Sequence, residues 1–450
     1  VKRFENPPLH QQQRPPPNNP KVFTSALRIF RVHKPKPMKS LAPLALIGLL
    51  LTACVPPKPV DRLNDEQLRA YADELAHRYI ITDGHVDLPY RLKMKNFRIE
   101  REYMGIPLST SEGDFDYERA KKGGLDAPFM SIYIPSSYQL QPDNGKALAD
   151  SLINMIRAIA EQIPDKFALA NSPAEVEANF RAGKISLPMG MENGAPIGTD
   201  LANVAYFHQR GIRYITLTHG KDNQISDSSY DTTQTWRGIS PFGEQVVREM
   251  NRVGIMVDIS HVSDSAFYDV MRLTSVPVIA SHSSCRAFTP GFQRNMDDAM
   301  IRALAQNGGV IQINFGSAFL DSAVRAGNEG NRKKLRALLD ERNLKASDSL
   351  AKPLIDQFQK ENPSLFADVE TVANHIDHVV SVAGIDHVGL GSDYDGVGDS
   401  LPTGLKDVSQ YPNLIYVLLT RGYTEEDIEK ICYKNVWRVW SAVERAAGGS

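Results

Sequence analysis

Several short stretches of this chain end in side chains that bind cations or move protons. "TDGHVDLP" carries His85 and Asp87 two positions apart, so on an extended strand both point to one face. An imidazole and a carboxylate converging on a point suit a zinc-like divalent ion. A partly buried His–Asp hydrogen bond would also explain the pair. "MGMENGAP" sets Glu192 after an apolar strand and before a glycine turn. A buried carboxylate costs several kcal/mol unless it is paired or metal-bound. Glu192 can put one oxygen on each of two cations and so bridge them, or it can simply cap a turn.

"DISHVSD" and "IASHSSCRA" deliver His261 and His282, each at the point where an apolar run turns polar. Two histidines from neighbouring strands can complete a second metal site. Ser263 and Ser283 could cap the following helices, but capping leaves the histidines unexplained. "LTHGKDN" gives His219, open to three readings: a further ligand, a transition-state donor or a structural residue. "GLGSDYDGVG" gives Asp393, suited to a base or a water orienter, and Asp395, suited to holding a neighbouring loop. The spacing lacks the later bidentate glutamate of a calcium loop. His375, His378 and His387 read as helix-surface or supporting residues. Cys285 lies three past His282, Cys432 falls on the last helix as a core residue, and a disulfide between them is conceivable in an exported protein.

Elements that could hold these groups alternate along the chain. Strand-like runs lie near Ile80–His85, Phe129–Ile134, Ser186–Met191, Arg213–His219, Met256–His261, Val276–His282, Val310–Phe315 and His387–Asp393. Helical patterns such as "NGKALADSLINMIRAIAEQI" and "FGEQVVREMNRVG" fall between them, the second stopping at Gly254. Eight strands alternating with helices predict an α/β fold, a (β/α)8 TIM-like barrel of the metal-dependent hydrolase type, whose carboxyl-end face carries the active site. Four of the 11 histidines (His85, His219, His261 and His282) lie at such strand ends. A doubly wound open sheet is the other arrangement, but no glycine-rich phosphate loop follows the first strand. Residues 320–375 are polar and helix-prone and read as an insertion before the last strand. The tail opens at Thr424, an N-cap, and reads as a closing helix.

The chain has 450 residues, 42% hydrophobic and 23% charged, which excludes a disordered chain, a collagen-like fibre and a multi-span membrane protein. Residues 1–53 hold nine basic side chains and one acid, net +8; with −2 for the whole chain, the remainder carries −10. An acidic body argues against nucleic acid as a partner. Three cysteines exclude a disulfide-dense scaffold and a four-cysteine zinc site. Residues 1–37 hold 8 of the 28 prolines and read as a disordered basic extension, or as sequence before the true start at Met38. Residues 38–53 have signal-peptide form: Lys39, then a 13-residue apolar run from Leu41 to Ala53. Small residues before Cys54 resemble a bacterial lipobox, which implies cleavage there and lipid on the Cys54 thiol. Residues 54–66 then form a tether and 67–450 the barrel domain. Such a protein is exported and lipid-anchored, at the outer membrane facing the periplasm in a Gram-negative host.

Taken in order, "DGHVDLP", "MENG", "YITLTH", "NQISDSS", "PFGEQVVREMNRVGIMVDISHVSD", "IASHSSCRA", "QRNMDD" and "DHVGLGSDYDGV" resemble the membrane (renal) dipeptidase family of dizinc metallopeptidases, from about Tyr79 to Arg445. The resemblance implies two zinc ions per chain. His85 and Asp87 would bind one, His261 and His282 the other, and Glu192 both. His219 would contact the substrate near its scissile carbonyl, Arg294 would hold the substrate carboxylate, and Asp393 would handle the proton of the attacking water. It implies a dipeptide substrate with a free C-terminal carboxylate, and family members often form homodimers. The chain departs from common family forms at Gln293, Asn193 and Gly220, which bears on substrate preference more than on metal binding. Two other functions share the ligands. One is a related amidohydrolase acting on another small amide, such as a D-amino-acid dipeptide, a lactam or a metabolite peptide. The other is a non-catalytic metal-binding lipoprotein.

Overall fold

The computed structural model describes residues 60–94 and 105–448. The basic extension, the signal-like run, Cys54 and the tether up to residue 59 lie outside the described residues. Among the described residues, apolar runs bounded by Gly, Pro and capping residues become ten strands: β1 (Ile81–Val86), β2 (Leu125–Tyr133), β3 (Phe167–Leu169), β4 (Ile185–Leu187), β5 (Met189–Glu192), β6 (Ile212–Thr216), β7 (Met256–Asp258), β8 (Ile279–Ser283), β9 (Val310–Ile313) and β10 (Val388–Leu390). Eight of them close into a parallel barrel in the order β1-β10-β9-β8-β7-β6-β5-β2, the predicted (β/α)8 architecture. Strands covered by helices outside and filled with side chains inside are buried on both faces, as their near-continuous apolar runs require.

The register sets the height of the site. Tyr133 on β2 pairs with Glu192 on β5, Glu192 with Thr216 on β6, and Thr216 with Asp258 on β7. These four therefore stand in one layer at the carboxyl rim. Helices return the chain to the opposite end. The helix Pro241–Val253 starts on the Ser240 side chain, which accepts from the Gly243 amide, and stops at Gly254, whose φ of 89° only glycine adopts freely.

Four details differ from the pattern read in the sequence. The run Ser186–Met191 is not one strand. Pro188 breaks it: Ile185–Leu187 pairs with Phe167–Leu169 in a separate two-stranded sheet, while Met189–Glu192 enters the barrel. The insertion is shorter than residues 320–375. It holds the helices Ser322–Asp340 and Lys352–Glu361, whereas Val369–Ala383 is the barrel helix leading to β10. His375 is not on a helix surface. It is fully buried, accepting the Cys285 amide at Nδ1 (3.0 Å) and donating from Nε2 to the Leu320 carbonyl (2.9 Å). Cys285 and Cys432 are both buried free thiols and do not pair. Burial pushes the Cys432 thiol up to about 12, which leaves it inert at neutral pH.

Candidate metal centre

Seven side chains expected at the rim come together there, but four of them stand beyond their strands, Asp87 directly after β1. β6, β7 and β10 end at Thr216, Asp258 and Leu390, so His219, His261 and Asp393 ride on the loops that follow. His261 and Asp393 are held at φ 67° and 64°, left-handed backbone that non-glycine residues adopt mainly where surrounding structure enforces it. Asn193, directly after Glu192, shares the feature at φ 81°. These turns swing the side chains inward over the barrel mouth.

The arrangement is organised about Glu192. Its Oε2 lies 3.4 Å from His85 Nε2, which lies 3.4 Å from Asp87 Oδ2. Its Oε1 lies 3.1 Å from His261 Nε2, 3.3 Å from His282 Nε2 and 3.6 Å from His219 Nε2. One carboxylate thus gives an oxygen to each of two clusters of donors. Three overlapping sets each converge within 4.8 Å: His85, Glu192 and His282; Glu192, His219 and His261; His85, Asp87 and Asp393. His85 Nε2 and Asp87 Oδ1 are buried with no hydrogen-bond partner. His261 Nε2 and His282 Nε2 stand 2.8 Å apart. Buried lone pairs left facing one another cost free energy unless a cation meets them. Mixed imidazole and carboxylate donors at these positions fit divalent zinc-type ions.

His85, His282 and Asp393 are each oriented from behind by a residue that the sequence did not single out. His85 Nδ1 bonds the Tyr214 hydroxyl at 2.8 Å, which leaves its Nε2 lone pair for a cation. The Tyr214 ring reaches that place only because position 190 is glycine: a Cβ there would lie 2.0 Å from Tyr214 Cζ. His282 Nδ1 meets the Ser281 hydroxyl at 2.7 Å, and Ser281 donates on to Asp258 Oδ2 at 2.7 Å. Asp258 also accepts the Ser260 and Ser281 amides (3.0 and 2.8 Å), so one buried carboxylate holds the ends of β7 and β8 together. Asp83 does the same for β1 and β10, accepting the His85 amide (2.9 Å), the Ser392 amide (3.0 Å) and the Tyr411 hydroxyl. Asn314 donates to Asp393 Oδ2 at 2.7 Å. Asp395 takes the loop-holding role expected of it, accepting from Arg91 (2.9 Å) and the Asp114 amide (2.6 Å). Asp83 and Asp258 carry the same sequence signal as Glu192, an acid inside an apolar strand.

Charge is distributed unevenly over the site. Burial alone would raise the Glu192 pKa, but His85, His219, His261 and His282 outweigh it and hold the carboxyl well below the usual range. Burial, with Asp87 and Glu192 close by, pushes Asp393 up to about 7 against the pull of His85 and Arg294. Burial holds His219 below its ordinary value, so it stands neutral at pH 7. Arg294 is almost wholly buried beneath His261. It donates to the Ser283 hydroxyl (2.8 Å), the His282 carbonyl (2.7 Å) and His261 Nε2 (3.0 Å), while its Nε–H has no partner. Above the cluster opens a cavity of about 920 Å³ whose floor is Asp87, Glu192, His219, His261 and Asp393.

A closed parallel barrel with a His/Asp/Glu cluster sunk in its carboxyl rim defines a hydrolase of the metal-dependent barrel class. Comparison with known proteins narrows this. Residues 69–450 match the family described as membrane dipeptidase (peptidase family M19), and the chain belongs to that family of metallopeptidases. It is 33% identical over 372 residues to the dipeptidase tcpJ of Claviceps purpurea, covering 81% of this chain and 77% of that one. Among solved structures it is similar to the probable dipeptidase PvdM from Pseudomonas aeruginosa, with 26% identity, a TM-score of 0.70, and coverage of 85% of this chain and 100% of that one. It is also similar to a metallopeptidase from Rhodobacter sphaeroides liganded with a phosphinate mimic of the dipeptide L-Ala-D-Ala. There the identity is 25%, the TM-score 0.66, and the coverage 81% and 99%.

Proposed function

We propose that this dipeptidase-family chain hydrolyses dipeptides with a free C-terminal carboxylate and holds two zinc ions to do so. The observation that carries the reading is the division of Glu192, with Oε2 toward His85 and Asp87 and Oε1 toward His261 and His282. His85 and Asp87 would hold one ion, His261 and His282 the other, with Glu192 shared between them. Bound there, the pair supplies Lewis acidity and a water acidic enough to act as nucleophile near neutral pH.

The chain's own residues do the rest. Asp393 has one oxygen fixed by Asn314 and so offers the other to the proton of the attacking water, which it can return to the leaving amine. His219, neutral and lining the cavity, donates to the carbonyl oxygen as negative charge develops on it. Removing such a donor typically costs about 10²–10³ in rate. Arg294, buried behind His261 with one N–H unpartnered, is the guanidinium for the substrate carboxylate, and a guanidinium there favours short substrates over long chains. The dipeptide mimic bound by the Rhodobacter relative supports the substrate class. The signal-like run ending at Cys54 supports an exported, lipid-anchored protein at the outer membrane facing the periplasm, and family habit supports a homodimer.

The test is hydrolysis of a panel of L-L and L-D dipeptides by the purified protein, before and after chelation and after zinc is restored. Turnover lost on chelation and recovered with zinc supports the reading. Turnover that survives complete metal removal refutes it.

A further inference from the structure

The wall of the cavity facing the acidic floor is built by the insertion. Arg325, Glu329 and Arg332 lie at i, i+4 and i+7 on the helix Ser322–Asp340, so they share one face, and all three line the cavity. The face therefore carries two cations and one anion. Arg325 is the ordered member. Its Cζ stands 4.3 Å over the centroid of the Phe292 ring, which fixes the guanidinium plane and leaves its N–H edge free to donate. Among the described residues no carboxylate lies within ion-pairing distance of Arg325, and Glu329 one turn on closes no ion pair with it. A half-buried arginine stacked on an aromatic ring and unpaired in a cavity is a preformed site for an anion.

Its position relative to the cluster follows from the rings between them. Tyr230 stands 5.9 Å from His261 and 6.2 Å from Phe292, centroid to centroid. Phe292 in turn stands 5.8 Å from Phe319, over which the Arg294 guanidinium sits at 5.6 Å. Arg325 and Arg294 thus stack on the two members of one aromatic pair, Arg325 on Phe292 and Arg294 on Phe319, with Arg325 lining the cavity and Arg294 buried behind it. With the α-carboxylate of a dipeptide at Arg294, the side chain branching from that same residue is the group that can pass along the Phe319–Phe292 pair toward Arg325.

We propose that Arg325 reads the side chain of the C-terminal residue and selects dipeptides whose second residue is acidic, aspartate or glutamate. This rests on the dipeptidase reading and on Arg294 taking the α-carboxylate. Arg325 is a specificity residue, remote from the reacting atoms.

The experiment compares kcat/KM for Ala-Glu and its neutral isostere Ala-Gln, each with an L- and a D-configured second residue. The zinc-loaded wild type is set beside Arg325→Gln and Arg325→Lys. The wild type is expected to prefer Glu over Gln by about tenfold in the accepted configuration, the size of one charge-assisted contact open to solvent, with the difference mainly in KM. Arg325→Gln should collapse the ratio toward one, and Arg325→Lys should retain part of it. Hydrolysis of both peptides by the wild type without a Glu preference overturns this inference and leaves the dipeptidase reading standing. An equal fall for both peptides in Arg325→Gln also overturns it, because Arg325 would then hold the common α-carboxylate or the wall itself. Failure of the zinc-loaded wild type to cleave either peptide overturns this inference, and failure on the whole L-L and L-D panel overturns the dipeptidase reading with it.

Discussion

Replacing Tyr214 by phenylalanine removes one oxygen atom and leaves the ring where it packs across Gly190 and against Phe129 (5.3 Å between centroids). What is lost is the 2.8 Å bond to His85 Nδ1, in a fully buried setting where water cannot replace it. Two consequences follow. The Nδ1–H becomes an unsatisfied buried donor, worth about 1–3 kcal/mol of stability. The imidazole is also free to put its proton on Nε2, the atom that faces Glu192 and Asp87. Loss of such a supporting contact typically weakens metal binding by about 10–100-fold, or about 1.4–2.7 kcal/mol. Only one of the two cations touches His85 in the proposed arrangement, so the loss should fall on one binding event. Zinc titration against a chromophoric chelator should show two sites in the wild type. In Tyr214→Phe one should be weakened by that factor and the other unchanged, because the His282–Ser281–Asp258 relay that holds it is untouched. Gly190→Ala attacks the same bond from the backbone by driving the ring away and should produce the same one-site defect with a larger drop in stability. Two sites of wild-type affinity in Tyr214→Phe would refute the argument that the hydroxyl sets the histidine.

Two further predictions concern positions the chemistry does not name. A Cβ at Gly396 would stand 2.2 Å from Asp87 Oδ2 and 2.3 Å from Asp393 Oδ1. Gly396→Ala should therefore displace both carboxylates and lower kcat/KM by about 10²-fold with the circular dichroism spectrum intact, and near-normal activity would show that neither carboxylate needs its observed position. His375 gives a pH signature: burial takes it from 6.5 down to about 4, so between those values the unfolded chain binds a proton that the folded chain excludes. Stability should fall by about 3 kcal/mol from this group as pH drops through that window, and level off below it. His375→Gln, which keeps an acceptor and a donor but cannot titrate, should flatten the urea-denaturation curve against pH by that amount; parallel curves for the two proteins would contradict the buried neutral imidazole.

The barrel was legible because its strands are buried on both faces and so appear as apolar runs at regular intervals. The candidate ligands were legible because each is a polar residue at or just past the point where such a run stops. Pro188 was present in the sequence as a warning against one continuous strand, since it cannot donate to a ladder, but the apolar pattern runs straight through it. Strand ends were read three residues long at His219, His261 and Asp393, because the positive φ that turns the last two inward leaves no mark on a residue's type. His375 was read as either a helix-surface or a supporting residue, and the sequence could not choose the buried supporting role because its partners, the Cys285 amide and the Leu320 carbonyl, are backbone groups 90 and 55 positions away. Tyr214, Ser281 and Asn314 were invisible for a related reason: they act through contacts with other strands or their ends (His85 across the barrel, Asp258 on the adjacent β7, and Asp393 just past the adjacent β10), and only the register of the strands reveals them. Asp83 and Asp258 were visible in principle, by the reasoning that picked out Glu192.

The central claim is that Glu192 joins two cation sites that act as one centre. The direct measurement is zinc titration of the metal-stripped protein with dipeptide turnover followed at each addition. The account predicts that activity rises to its plateau only as the second equivalent per chain is bound, with both equivalents confirmed by elemental analysis. Full turnover at a single equivalent, or with none, would contradict it.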